Sequence, residues 1–184
     1  MLRGQGTLNF VQTGGGQPVV TLQETLLLGG LTSPEVLFDF GFVTDEPVVP
    51  STLLDSFTVT VQNPAASASA VLVTIDPGGP VWAPVSPGNL ALSDSQVLRQ
   101  GIAPPSLQPV LGQGLAYSVA FPLPSALLGP TLNVTFDLFD NQAGFMSLGW
   151  YDNLRVVSVP EPQIWELLVL GLSTSAILLR RRRR

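Results

Sequence analysis

Cysteine, histidine and lysine are absent from this chain, and charged residues make up only 11% of it. Without cysteine no disulfide can form. Without cysteine and histidine, neither a Ser-His-Asp nor a Cys-His nucleophile can be assembled, and the usual zinc sites are excluded. No glycine-rich phosphate loop precedes a helix. Ahead of residue 160 the arginines are Arg3, Arg99 and Arg155, too scattered to form the clustered cationic face that phosphate binding needs. Nucleic acid is therefore not an expected partner. The chemistry left is that of carboxylates and neutral oxygen donors.

Charge is divided unevenly along the chain. Residues 1–159 carry eleven acids and three arginines, a formal −8, whereas residues 160–184 carry two acids and five arginines, a formal +3. The first part reads as an acidic, surface-type domain long enough for one hydrophobic core. Such a charge would repel an anionic polysaccharide unless divalent cations bridged the two.

Glycine and proline supply 35 of the 184 residues and punctuate short apolar runs at fairly regular intervals. That is the pattern of an all-β protein, expected here as a single jelly-roll-like antiparallel β-sandwich over residues 1–158. Strands are expected at Leu8–Val11 and Val19–Leu28, divided by Thr13-Gly14-Gly15-Gly16. Over Val36–Val43, Phe38, Phe40 and Phe42 recur at period two and share one sheet face. They are expected in the core, the alternative being an exposed aromatic platform for sugars. Phe57–Val61 and Val71–Ile75 are expected to pair as a hairpin across Asn63-Pro64 and the small residues Ala65–Ala70. Two more strands follow at Tyr117–Phe121 and Leu132–Phe139, and a closing strand is expected from Asp152-Asn153 to Val159. Between them, Val81–Gln113 is Pro-rich and weakly periodic. Loops of that length are usually functional or disordered, so this stretch, with Trp82, is the place to look for a binding surface. Asn133-Val134-Thr135 matches a glycosylation sequon but sits inside an expected strand.

The carboxylates offer two candidate chemistries. A pair about 5 to 9 Å apart could hydrolyse a glycoside, and Asp39, Asp55, Asp94, Asp137, Asp140 and Asp152 are at hand, yet nothing in their spacing singles out a pair. No catalytic residue is assigned on this basis. Asp140 and Asn141 cluster hard oxygens in a turn with Asp152 near in sequence, a set that calcium could use. The alternative is an Asx turn in which Asp140 and Asn141 bond their own backbone. Calcium is the one cofactor considered.

The C-terminus differs from everything before it. Ile164–Leu179 is a 16-residue apolar run with one charge, Glu166, near its start, and Arg180, Arg181, Arg182, Arg183 and Arg184 follow it. As a helix the run spans roughly 24 Å, slightly short of a hydrocarbon core of about 30 Å. Its nine Leu, Ile and Val residues favour insertion by about 3 to 5 kcal/mol together. Marginal insertion as one transmembrane helix over 164–179 is expected, with the arginines held on the cytoplasmic side. Just before it, Pro160 and Pro162 flank Glu161; each proline lacks an N–H and restricts its predecessor to extended backbone. Pro-Glu-Pro therefore reads as a stiff, accessible peptide outside the bilayer.

This order of Pro160-Glu161-Pro162, short apolar span with a central Gly171, and terminal arginine cluster resembles the PEP-CTERM sorting signal of Gram-negative bacteria. The resemblance covers residues 159–184 only. It implies recognition by exosortase, a multispanning membrane transpeptidase, with cleavage near the tripeptide and transfer from the inner membrane to the cell surface. It also implies association with extracellular polysaccharide and biofilm. By position, Pro160, Glu161 and Pro162 would be the recognition element and Arg180–Arg184 the retention cluster. Exported chains begin with an apolar signal segment, which Met1–Thr21 does not contain, so the true start is expected upstream, the alternative being that the chain is not exported. The expected whole is a non-catalytic surface or matrix protein. The alternatives are a secreted polysaccharide-acting hydrolase and a membrane-anchored protein that is never cleaved.

Overall fold

The computed structural model describes residues 9–14, 19–48, 53–84, 90–102, 115–140 and 145–159, with only the backbone described for 9–14, 99–102 and 115. Among these residues ten strands form two five-stranded sheets, all neighbours antiparallel. The first sheet, in spatial order, is β1 (Asn9–Gly14), β10 (Met146–Ser158), β3 (Pro34–Thr44), β8 (Leu115–Pro122) and β7 (Leu98–Ile102). The second is β2 (Val19–Leu27), β9 (Thr131–Phe139), β4 (Ser56–Asn63), β5 (Ala68–Asp76) and β6 (Gly79–Trp82). Two short 3-10 turns, Asp94–Gln96 and Ser125–Leu127, are the helical structure among the described residues.

Alternation in sequence becomes burial in the fold, because successive strand side chains point to opposite faces. In β3 the inward set is Val36, Phe38, Phe40 and Phe42, each at most 3% exposed. In β9 it is Leu132, Val134, Phe136 and Leu138, all fully buried. The three phenylalanines of β3 are thus core residues, as the period-two pattern predicts, and supply no sugar platform. Phe136 is the meeting point of the two sheets. It stacks on Tyr151 of the first sheet at 3.8 Å between ring centroids and on Phe57 of its own sheet at 6.2 Å, and takes Phe38 edge-on at 6.1 Å. Gly149 makes room for this: a Cβ there would lie 2.4 Å from the Phe57 ring.

The expected β4–β5 hairpin forms, with Phe57 opposite Ile75 and Asn63 opposite Ala68. Two expectations need correction. The Val81–Gln113 stretch is not one long loop, since it contributes the end of edge strand β6 to one sheet and edge strand β7 to the other. Trp82 is half-buried, with its ring edge-on to Phe40 at 6.0 Å and to Tyr117 at 5.4 Å, so it packs against the core. The closing strand begins at Met146, not at Asp152-Asn153. Those two residues instead sit at a bulge in mid-strand, where the register with β3 shifts between Asp152 and Arg155 and Asn153 takes the left-handed region at φ 55°. Among the described residues no helix is long and apolar enough to cross a membrane; the 164–179 span lies outside them.

Candidate functional site

Five carboxylates gather at one pole of the sandwich because five strand ends meet there. β3 ends at Thr44, β4 begins at Ser56, β5 ends at Asp76, β9 ends at Phe139 and β10 begins at Met146. Asp45, Glu46, Asp55, Asp76 and Asp140 are the residues just at or beyond those ends. Three of them are buried: Asp55 completely, Asp140 to 2% exposure and Glu46 to 6%. Asp55 is held from both sides, its N–H donating to Glu46 Oε2 at 2.6 Å and its Oδ2 accepting from Ser147 Oγ. Ser147 Oγ also lies 2.8 Å from Thr44 Oγ1. The serine hydroxyl is thus aimed as donor at both Thr44 Oγ1 and the Asp55 carboxylate, which share its single proton. Thr44 Oγ1 in turn accepts from Glu46 N–H at 3.0 Å.

Glu46 is held above the usual carboxylate range, first by burial and then by the negative charges of Asp55, Asp140 and Asp76, against the opposing bond from Asp55 N–H. It lines a cleft of about 190 Å³ with Phe42, Val48, Ile75, Asp76 and Pro77. Arg155, the arginine whose side chain is described, lies on the outer side of the first sheet, away from this pole, with Nη1 donating to Asn153 O. The group is acidic and small.

The oxygen donors expected to share calcium are separated. Asp140 belongs to the acidic pole, near the level of Ser147, whereas Asp152 lies five residues further along β10, about 17 Å at strand spacing. Asp152 Oδ1 accepts from Asn153 N–H at 2.7 Å within the bulge, and Asn141 lies outside the described residues. Among the described residues no three carboxylates converge in a way that could hold a metal ion. Of the candidate hydrolytic acids, Asp55 and Asp140 fall in the polar cluster, Asp39 and Asp152 on the outer face of the first sheet, Asp137 on that of the second and Asp94 in a 3-10 turn. The acid lining the cleft beside Asp76 is Glu46, which is not among the candidate acids picked from the sequence. Its signal was the run of acids at strand ends, legible only once the topology brings those ends together.

The two outer faces differ. On the first sheet Trp150 lies across Gly41, where a Cβ would come within 2.5 Å of the indole. Trp150 is 1% exposed, and its Nε1 has no hydrogen-bond partner among the described residues. Beside it Asp39 accepts from Ser118 Oγ at 2.5 Å and from Asn153 Nδ2 at 2.6 Å, tying β3, β8 and the β10 bulge together. On the second sheet the outer residues line up in rows across four strands. Thr21, Asp137, Thr58 and Thr74 form one row; Gln23, Thr135 and Thr60 the next, with Val71, 2% exposed, opposite Thr60; Thr25, Asn133, Gln62 and Ser69 the third. Within these rows Thr21 Oγ1 donates to Asp137 at 2.6 Å, Thr25 Oγ1 to Asn133 Oδ1 at 3.0 Å, and the Thr58 and Thr74 hydroxyls bond each other at 3.0 Å.

At the pole opposite the acids the end of β10 is tied to the start of β3. Ser158 Oγ donates to Thr32 O, and Val159 N–H donates to Ser33 O at 3.2 Å. Pro160, Glu161, Pro162 and Arg180–Arg184 lie outside the described residues. Compared with protein-family models, curated proteins and solved structures, the chain matches none.

Proposed function

We propose that this is a non-catalytic surface or matrix protein: a sandwich carried to the outside of the cell and handed over there through its C-terminal sorting tail. The observation that carries the reading is the hydrogen bonding that holds the last strand and its end as far as Val159. The last strand is tied down to Val159, and the next residue is Pro160, which has no N–H to continue the ladder. A processing enzyme could then take Pro160-Glu161-Pro162 without unfolding the body. The acidic pole, about 33 Å away along β3, faces away from the membrane in this arrangement. Exosortase is the proposed processing enzyme, with the 164–179 span as transient inner-membrane anchor and Arg180–Arg184 on the cytoplasmic side. Polysaccharide of the envelope or biofilm is the proposed destination. We read the body as a jelly roll, since β1-β10-β3-β8 against β2-β9-β4-β5 has the pairing of that eight-strand fold, with β7 and β6 as added edges.

The test is replacement of Pro160, Glu161 and Pro162 by alanine in the native host, followed by fractionation. The variant is expected to stay in the inner membrane and vanish from the surface. An unchanged distribution would count against the sorting role.

A second reading, a polysaccharide hydrolase, draws on one observation: Glu46, raised above the usual carboxylate range by burial, and Asp76 line the same cleft. Its weakness is size, since 190 Å³ is below the roughly 300–1,000 Å³ of small-molecule sites. Release of reducing ends from polysaccharide by the purified chain, abolished in Glu46→Gln, would establish it.

A further inference from the structure

We infer that β2 is a pairing edge and that its partner is the β2 of a second copy of this chain, set antiparallel about Gln23. Four strands lie at sheet edges, β1 and β7 in the first sheet and β2 and β6 in the second. Edges are usually blunted by shortness, proline, lysine or a bulge, because their free backbone groups template further pairing. β6 has 4 residues and carries Pro80; β7 has 5 and a register shift between Arg99 and Gly101; β1 has 6 and ends on Gly14. β2 has 9 residues, no proline, no lysine and an unbroken register with β9. Its one guard is Glu24, an inward-pointing charge, and that carboxylate is occupied within the fold by the Tyr151 hydroxyl at 3.0 Å.

One bond shows which backbone groups face the open side. Leu28 N–H donates to Pro130 O at 3.0 Å, continuing the register in which Leu27 stands opposite Thr131. Antiparallel pairs alternate between bonded and non-bonded, so Leu26, Glu24, Leu22 and Val20 bond to β9, while Val19, Thr21, Gln23, Thr25 and Leu27 turn their N–H and C=O outward from the sheet edge. Among the described residues no strand pairs with that side. The same five residues are the exposed ones of the outer face, and they read nearly alike from either end. With Gln23 laid opposite Gln23 of the second copy, Thr21 meets Thr25 and Val19 meets Leu27 at both ends. That pairing covers the two apolar ends, Val19 at 50% exposure and Leu27 at 77%, with each other. Sliding one copy by one residue sets open groups against groups already bonded to β9, and sliding it by two sets Leu27 or Val19 against a threonine. In the centred register Glu24 falls opposite Leu22, so no like charges are opposed. A two-fold pairing uses up both edges, which makes a closed dimer and no fibre.

The experiment is sedimentation equilibrium of the full chain in detergent over a range of concentrations, with variants at the open edge. T21K/T25K sets lysine opposite lysine in the dimer, whereas T21K/T25E sets lysine opposite glutamate at both ends. Thr21 and Thr25 are exposed, so both variants should keep the far-UV spectrum and unfolding midpoint of the parent. The chain has no cysteine, so Gln23→Cys places a lone thiol on the two-fold axis. Bonded pairs there have Cα atoms about 5.5 Å apart, within disulfide reach. Thr21→Cys is the register control, since its two copies would lie about 14 Å apart. The expected result is a monomer–dimer equilibrium, weakened about tenfold or more by T21K/T25K and restored by T21K/T25E, with oxidation linking the Gln23→Cys chains and not the Thr21→Cys chains. A monomer at every concentration would overturn the inference. So would equal association of the two charge variants, which would put the contact elsewhere, the tail included, or linking of Thr21→Cys as readily as Gln23→Cys. None of these readouts depends on processing of residues 160–184, so the sorting reading and this one fail separately.

Discussion

Inside, the two sheets are built alike, each giving a period-two set of apolar side chains to one shared core around Phe136. Outside, they diverge. The first sheet fills its outer surface with its own parts: Trp150 lies on Gly41, and Asp39 ties Ser118 to the β10 bulge. The second leaves ordered threonine and amide rows facing outward. A face spent on internal contacts should resist change, whereas one spent on neither core nor cross-links should tolerate it. The comparison separates positions that hold the fold from positions that the fold uses less.

The largest effect sets the scale for both sheets. Phe136→Ala removes the ring shared by Phe57, Phe38 and Tyr151 and should cost about 3–5 kcal/mol in urea unfolding. A loss below about 1 kcal/mol would mean that the β9 register is wrong. Next, Gly41→Ala drives a methyl into the Trp150 indole and should cost about 1–3 kcal/mol, although it lies on an outer face. If it is silent, the filled first-sheet face is not part of the fold's stability. Smaller and opposite in sign is Glu46→Gln at the acidic pole. The folded-state pKa of Glu46 is raised, so ionising it costs stability; the cost is absent below about pH 4.5 and fully present above the raised value. The variant should therefore be the more stable at pH 7, with the gap closing as pH falls toward 4.5, measured by denaturant midpoints across that range. The smallest effect is Thr60→Ala in the open rows, expected within about 0.5 kcal/mol of the parent. A larger loss there would erase the contrast between the faces.

Much of this was legible in the alternation of apolar residues. Phe38, Phe40 and Phe42, the Phe57–Val61 strand with its hairpin, and Leu132–Leu138 all lie where period two puts them, since inner-face positions have no freedom to slip. Three things were not legible. Edge strands β6 and β7 are short, one of them carries Pro80, and they offer no two-sided burial to leave a pattern. The start of β10 was missed because Gly149 and outward Trp150 interrupt the alternation, each for a reason in a neighbouring ring or glycine. The acidic pole joins residues as far apart as Asp45 and Asp140, and only the topology brings them together. The threonine rows were half visible, as outward residues of single strands, but their lattice needs the registers of β2, β9, β4 and β5.

The central claim is that residues 160–184 act as a sorting tail behind a last strand whose hydrogen bonding reaches Val159. Intact mass of the protein recovered from the surface and medium of its native host, with and without the membrane transpeptidase, tests it most directly. The account predicts a mature chain ending near Pro160–Pro162 that disappears when the enzyme is deleted. A chain still ending at Arg184 in the membrane of both strains would contradict it and leave the tail as a plain anchor.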